Sequence, residues 1–374
     1  MKKAFIILGA IAAAIFIIFL FKFAHFYSIV HTSSSSANTS PLAKKEKDIF
    51  NILLLGYGGA GHEGSYLTDT VMIAHVDIKN KKVQLISIPR DLWVKVPTNS
   101  NFDFHSKINA VYQMGLFPDN YPDLSSKYKE SQGAADLVKA IVHEVTGLDI
   151  DYYVALDFSG FQTAVDTIGG VTINVERGFD DKQYPIDGRE DDLCNHKKDE
   201  LEELEKIATE SPEVAFPCRY QPVHFAAGVN TMNGQEALKY VRSRHGVPDG
   251  GDFGRARRQQ LFLEAARDKV ISIGFIPKII PLMDDLKNHV RTDMGLSFMQ
   301  KMFKESSSKY KIKNYVLSDE NVLKNNYSPA SGYILIPDEG RDRWGLVHSA
   351  ISDVIAGINP SPSPTPIPQG ITNP

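Results

Sequence analysis

The sequence predicts an α/β protein: a three-layer α/β/α domain around a central mixed β-sheet, preceded by one transmembrane helix. Three observations predict it. Short runs of β-branched and other apolar residues recur through the middle of the chain and read as strands covered on both faces. Stretches whose apolar residues fall three and four apart alternate with these runs, which is the pattern of helices layered on a sheet. Ahead of both stands an uncharged run of 18 residues, AFIILGAIAAAIFIIFLF. The 374 residues are 43% hydrophobic with a formal net charge of −4, which excludes a disordered chain and argues against a protein that coats nucleic acid.

Residues 1–25 read as a cytoplasmic tip and a signal anchor. Lys2 and Lys3 precede Ala4–Phe21, which at about 1.5 Å per residue just crosses a hydrocarbon core. A cleaved signal peptide would have a shorter core and an Ala-x-Ala-like site, and none follows directly. A buried core helix is the other alternative. The expected orientation leaves the amino end in the cytoplasm and the remainder outside, although Lys22 weakens the charge contrast. Residues 26–47, with Ser33 to Ser36, have the composition of a flexible linker. Residues 358–374, with NPSPSPTPIPQGITNP from Asn359, read as a proline-rich disordered tail. The folded domain is therefore expected over 48–357.

Within it, Ile52–Leu55, Thr70–Val76 and Val83–Ile88 are predicted strands, the first ended by glycine. Ala134, Leu137, Val138, Ile141, Val142 and Val145 share one helical face. A strand over Tyr152–Leu156, a helix over Phe158–Ile168 and a strand over Gly170–Val175 follow, the last after a glycine stop. Asn233–Arg242 and Phe253–Ile273 are further helices, and Tyr333–Pro337 is a late strand before a helix over Trp344–Ile355. Residues 178–221 form an acidic insertion, in which Asp180 to Glu213 carries 13 acidic against 5 basic side chains. Both cysteines, Cys194 and Cys218, fall inside it. An oxidising exterior permits a disulfide between them, and two free thiols are the alternative.

Chemistry is sought at the ends of these elements. Gly59, Gly61 and Gly64 match G-x-G-x-x-G, but a strand follows where a dinucleotide site needs a helix, and no Gly-Lys-Ser/Thr makes a Walker loop. Five arginines, Arg242, Arg244, Arg255, Arg257 and Arg258, crowd into YVRSRHGVPDGGDFGRARRQQ. Arg255 and Gln259 are four apart on a helix, and the stripe continues into Phe262 and Ala266, so its polar end is suited to line a pocket while its apolar end enters the core. Guanidinium forks match phosphate oxygens, which makes this a candidate polyanion pocket; a solvated basic face, or pairing with the acidic segment, is the alternative. Asp252 is either a functional carboxylate or a cap for the helix at Phe253. Arg90 and Asp91 follow a predicted strand, where α/β domains keep ligands, or form a surface ion pair. Asp69 sits among apolar residues, where a carboxylate needs a cationic partner or a metal.

These residues resemble the LytR-CpsA-Psr family. The match runs in order through Thr68-Asp69-Thr70-Val71-Met72, Ser87-Ile88-Pro89-Arg90-Asp91, Lys107-Ile108-Asn109-Ala110, Asp151-Tyr152-Tyr153 with Gly169-Gly170-Val171, and Tyr240-Val241-Arg242-Ser243-Arg244 with Asp252-Phe253-Gly254-Arg255 and Arg258-Gln259-Gln260, over about residues 50 to 275. The resemblance implies a bacterial membrane-anchored enzyme with an extracellular domain. Its reaction would transfer a glycopolymer phosphate from a polyprenyl-pyrophosphate carrier to a peptidoglycan hydroxyl. It implies that Arg90, Arg242, Arg244, Arg255 and Gln259 grip the pyrophosphate with Lys107 at its border, that Asp69 holds Mg2+, and that an apolar groove takes the prenyl chain. Asp91 or Asp252 has the chemistry of a general base, and Asp91 could equally orient Arg90.

Two departures stand out. Leu67 occupies a position where the family usually has arginine, and Tyr57-Gly58-Gly59 stands where a second metal-binding aspartate commonly follows the first strand, with Glu63 or His62 as replacements to consider. A binding module without turnover, a pyrophosphate hydrolase and a transcriptional attenuator are the competing functions. No helix-turn-helix pattern supports the last.

Overall fold

A computed structural model describes residues 21–32, 47–60, 64–100, 102–130, 133–186, 188–189, 191–208, 211–248, 250–271, 278–305 and 310–358. The predicted membrane span lies outside the described residues except for Phe21, and so does the proline-rich tail from Asn359. Among the described residues no helix is long and apolar enough to cross a membrane. The linker expectation needs correction at its start. Residues 21–30 are helical (α1), Val30 is buried, and His31 pairs with Thr292 in a β-bridge, so 26–32 belong to the fold.

The chain then enters β1 (Ile49–Tyr57), β2 (Thr68–Asp77) and β3 (Lys82–Ile88), an antiparallel meander. A short pair, β4 (Trp93–Lys95) and β5 (His105–Lys107), leads into α2 (Val111–Leu116) and α3 (Gly133–Thr146). Next come β6 (Tyr152–Asp157) and α4 (Phe158–Ile168). Asp157 caps α4 by accepting from the Gly160 amide at 2.7 Å, and Gly169 and Gly170, at φ 85° and 74°, turn the chain out of it.

β7 (Val171–Val175) precedes the insertion, whose stem is β8 (Phe179–Pro185) paired with β9 (Tyr220–Phe225). Two short helices, α5 (Leu201–Ala208) and α6 (Pro212–Ala215), fill its far end. Cys194 and Cys218 form a disulfide there with Cα atoms 5.5 Å apart. β10 (Gly228–Met232) pairs with β7, and α7 (Gly234–Arg242) starts at a capping box between Asn233 and Glu236. Gly234 is required there, since a Cβ would come 2.1 Å from the Gln162 carbonyl oxygen on α4.

The chain continues through α8 (Gly251–Ile271), α9 (Ile279–Leu286), β11 (Val290–Thr292), α10 (Leu296–Glu305) and β12 (Lys311–Val316). A hairpin of β13 (Leu323–Ser328) and β14 (Gly332–Pro337) precedes α11 (Gly345–Ala356).

The central sheet has six strands in the order β11-β6-β1-β2-β3-β12, with β1/β6 and β3/β12 parallel and the other pairs antiparallel. It is therefore mixed, as the sequence predicts. Its period-2 alternation divides the core: Leu53, Leu55, Ile73 and Ile86 pack with α2, α3 and α11, whereas Phe50, Ile52, Met72 and Leu85 face α8 and α10. Both faces are covered, which is why the strands read as nearly continuous apolar runs. The carboxyl ends of β1, β3 and β6 and the amino end of β2 meet at one edge of the sheet. Ligand sites of open α/β sheets form at such an edge.

Candidate active site

Asp69 reaches this edge through an irregularity. Gly56 pairs with Thr70 and Tyr57 with Thr68, so Asp69 is the extra residue of a β-bulge, which turns its carboxylate out of the ladder. Arg90, two residues past β3, donates from Nη1 to Asp69 Oδ1 at 2.7 Å. The Nη2 of Arg242 lies 3.8 Å from the other oxygen of Asp69.

Arg242 is the last residue of α7. Its guanidinium stacks 4.0 Å from the centroid of the Phe158 ring and donates to the Tyr184 hydroxyl at 3.4 Å. The loop beyond it is held by Asp181, a carboxylate only 1% exposed. Its Oδ2 accepts from Ser243 Oγ at 2.5 Å and from the amides of Arg244 and His245 at 3.2 Å each. From the other side, α8 is bolted on by buried Arg258, which donates to the carbonyls of Tyr240, at 2.9 Å, and Ser243. These are the orphan carbonyls at the end of α7.

A cavity of about 220 Å³ results, lined by Asp69, Thr70, Arg90, Asp181, Gln183, Tyr184, Pro185, Tyr220, Val241, Arg242, Ser243, Arg244, His245, Arg255 and Gln259. Four guanidiniums face two carboxylates, leaving a net positive cavity suited to a polyanion. Six of the residues singled out from the sequence, Asp69, Arg90, Arg242, Arg244, Arg255 and Gln259, share this one wall. Lys107 and Asp91 lie behind it. Lys107 donates to Asp91 Oδ1 at 2.8 Å, and Arg90 Nε is 3.6 Å from Asp91 Oδ2. Arg257 pairs with Glu176 on the surface. Asp252 falls in the first turn of α8, which begins at Gly251, so it is not the cap of a helix starting at Phe253, and its side chain is outside the described structure. Glu63 and His62 are outside it as well.

A second cavity, of about 250 Å³, adjoins the first and shares Thr70, Val241, Arg242 and Gln259 with it. Its floor is Leu54, Met72, Val154 and Leu156 of the sheet, and its walls are Phe158 and Phe161 of α4, Leu238 of α7 and Phe262 and Leu263 of α8. The stripe Arg255–Gln259–Phe262 thus passes from the polar cavity into the apolar one, as its spacing predicts.

The stem strands of the acidic insertion supply Asp181, Gln183, Tyr184 and Tyr220 to the cavity. Asp181 and His245 were missed from the sequence. The signal for Asp181, one acid among many in a charged run, has no period that separates it from its solvated neighbours.

The LytR_cpsA_psr family matches residues 20–335. The chain is 28% identical over 260 residues to the polyisoprenyl-teichoic acid–peptidoglycan teichoic acid transferase TagU of Oceanobacillus iheyensis, covering 68% of this chain and 62% of that protein. It is 26% identical over 274 residues to the transferase TagV of Bacillus subtilis, covering 72% and 56%. The chain thus spans about six tenths of the length of these curated relatives. The crystal structure of B. subtilis TagV has the same fold, with a TM-score of 0.52 at 24% identity over 84% of this chain and all of that one.

Proposed function

The chain belongs to the LytR_cpsA_psr family, and from that premise we propose that it is a membrane-anchored transferase with an extracellular catalytic domain. It moves a glycopolymer phosphate from a polyprenyl-pyrophosphate carrier to a hydroxyl of peptidoglycan. The observation that carries this reading is the continuity of the two cavities. A ligand with a doubly charged head and a long apolar tail fits an arginine-lined cavity that opens into an apolar cleft.

In the proposed reaction the pyrophosphate lies among Arg90, Arg242, Arg244 and Arg255, and the prenyl chain lies along Leu156, Phe161 and Phe262. The acceptor oxygen attacks the phosphorus that carries the polymer. A new P–O bond forms, the bond to the prenyl phosphate breaks, and prenyl monophosphate leaves with its electron pair while the acceptor proton passes to a base. Fixed guanidiniums stabilise charge that spreads over the phosphoryl oxygens and moves to the leaving group, and they need no reorganisation as it does so. Asp91 holds Arg90 in place. Asp252 shares α8 with Arg255 and Gln259 and is the carboxylate to test as the base.

Of the two cavity carboxylates, Asp181 is taken up by Ser243 and backbone amides, so Asp69, with phosphate oxygens and water completing the shell, is the residue that would hold Mg2+. Bound there, the ion would neutralise phosphate charge. The other carboxylate lining the cavity, Asp181, already accepts from Ser243 and three backbone amides, so it does not stand in for the second acidic ligand common in the family.

The reading is tested by incubating the full chain with a carrier-linked oligosaccharide and peptidoglycan fragments. A phosphodiester-joined product supports it. Capture of the carrier without product would make the protein a binding module, and product without acceptor would make it a hydrolase.

A further inference from the structure

We propose that residues 21–32 are a docked stalk that seats the apolar cleft against the surface of a lipid bilayer. The proposal deepens the transferase reading and rests on it for the identity of the cleft's occupant.

The uncharged run ends at Phe21, and the chain continues as α1 without leaving the protein. Contacts at both ends fasten it. Lys22 Nζ pairs with Asp284 of α9 at 2.8 Å. Val30 is only 1% exposed. At the end, His31 forms a parallel bridge to Thr292, the Thr32 amide donates to the Thr292 carbonyl at 2.8 Å, and Thr32 Oγ1 lies 2.7 Å from the Tyr153 hydroxyl. A loose tether would show none of these.

Two of the elements that α1 grips, β11 and α9, pack on elements that line the cleft. β11 pairs with β6, setting Val290 beside Leu156 and Thr292 beside Val154, and both partners on β6 lie on the cleft floor. α9 packs on α4, whose Phe158 and Phe161 form a wall. Ten helical residues span only about 15 Å. The stalk therefore keeps this side of the domain near the point where the apolar run ends, and a prenyl chain can pass from bilayer to cleft with little exposure to water. Lys22 serves two ends in this arrangement: it terminates the apolar run and anchors the stalk to Asp284.

The test uses the full chain in lipid nanodiscs. Hydrogen exchange over residues 24–32 reads docking independently of catalysis. Slow exchange is expected in the wild type and fast exchange in Val30→Asp, which puts an unpaired carboxylate into an apolar seat. Lys22→Glu is expected to loosen the stalk in the same direction, and adding Asp284→Lys to restore it. Turnover is then compared on a long-chain carrier dissolved in the nanodisc and on a short-chain, water-soluble one. Val30→Asp should lower the first roughly tenfold and leave the second unchanged, as expected when effective concentration rather than chemistry is lost. Fast exchange in the wild type, or equal losses on both carriers, overturns the proposal. Slow exchange with no turnover of either carrier supports the docked stalk and overturns the transferase reading instead.

Discussion

The Asp181 carboxylate accepts the Ser243 hydroxyl at 2.5 Å, joining a strand of the acidic insertion to the loop that runs from Arg242 through Arg244. Its remaining acceptor capacity goes to the amides of Gln183, Arg244 and His245. A buried carboxylate with four donors fixes the backbone path between Arg242 and Arg244. Asp181→Ala leaves those donors unmatched and is expected to cost about 1–3 kcal/mol of stability and to lower kcat/KM. Asp180→Ala, which removes an exposed carboxylate paired with His224 at 2.7 Å, is expected to do neither. Chemical denaturation and kinetics on the two variants check this, and equal effects would contradict it.

Arg242 is held by an aromatic face, a tyrosine hydroxyl and Asp69 at once. A lysine keeps the charge but loses the planar stack on Phe158 and the second donor arm. Arg242→Lys is therefore expected to lower kcat/KM by at least about tenfold, toward the roughly 10²-fold typical of a lost charge-stabilising donor. Recovery of wild-type kinetics in the lysine variant would show that only the charge matters.

The cleft separates chain length from chemistry. Leu263 lines it away from the arginines, and Leu263→Trp narrows it. The expected outcome is a raised KM for a long prenyl carrier with little change for a short one. A uniform fall in kcat on both would place the effect in the polar cavity instead.

His75 supplies a pH prediction for the fold. Its Nδ1 lies 2.7 Å from Asn51 Oδ1 across β1 and β2, and burial, as the largest influence, lowers its pKa below the usual 6.5. The unfolded chain then binds a proton that the folded chain refuses. Stability is fully present above pH 6.5, falls as the pH drops below it, and levels off once the pH is under the depressed folded value. Denaturation midpoints across that window should show the slope in the wild type and a shallower one in His75→Gln. An unchanged slope would remove His75 as its source.

Much of this architecture is legible in the sequence, because burial on both faces writes itself as apolar runs and glycine marks the stops. β1, β2, β3, β6, α4 and α7 stand within a few residues of their expected places. The edge strands do not. β12, Lys311–Val316, alternates charge with apolar residues at a sheet border, and β11 has only three residues, too few to hold a period. The arginine cavity was legible because its residues share motifs. The insertion's share was not, since Asp181, Gln183, Tyr184 and Tyr220 converge only when β8 pairs with β9 across the disulfide-closed excursion. The stalk was obscured by a different cause: residues 26–32 read as linker because what holds them is tertiary contact, which leaves no mark in local composition.

The arginine cavity is proposed to transfer phosphate to an acceptor hydroxyl. The most direct measurement follows, in one reaction of the full chain, the release of polyprenyl monophosphate and the formation of the polymer–peptidoglycan phosphodiester, with and without Mg2+ and beside Arg90→Ala. The two products are expected one for one, only when acceptor is present, and Arg90→Ala is expected to abolish both while carrier binding weakens. Monophosphate released without diester, or a one-for-one yield undiminished in Arg90→Ala, would contradict it.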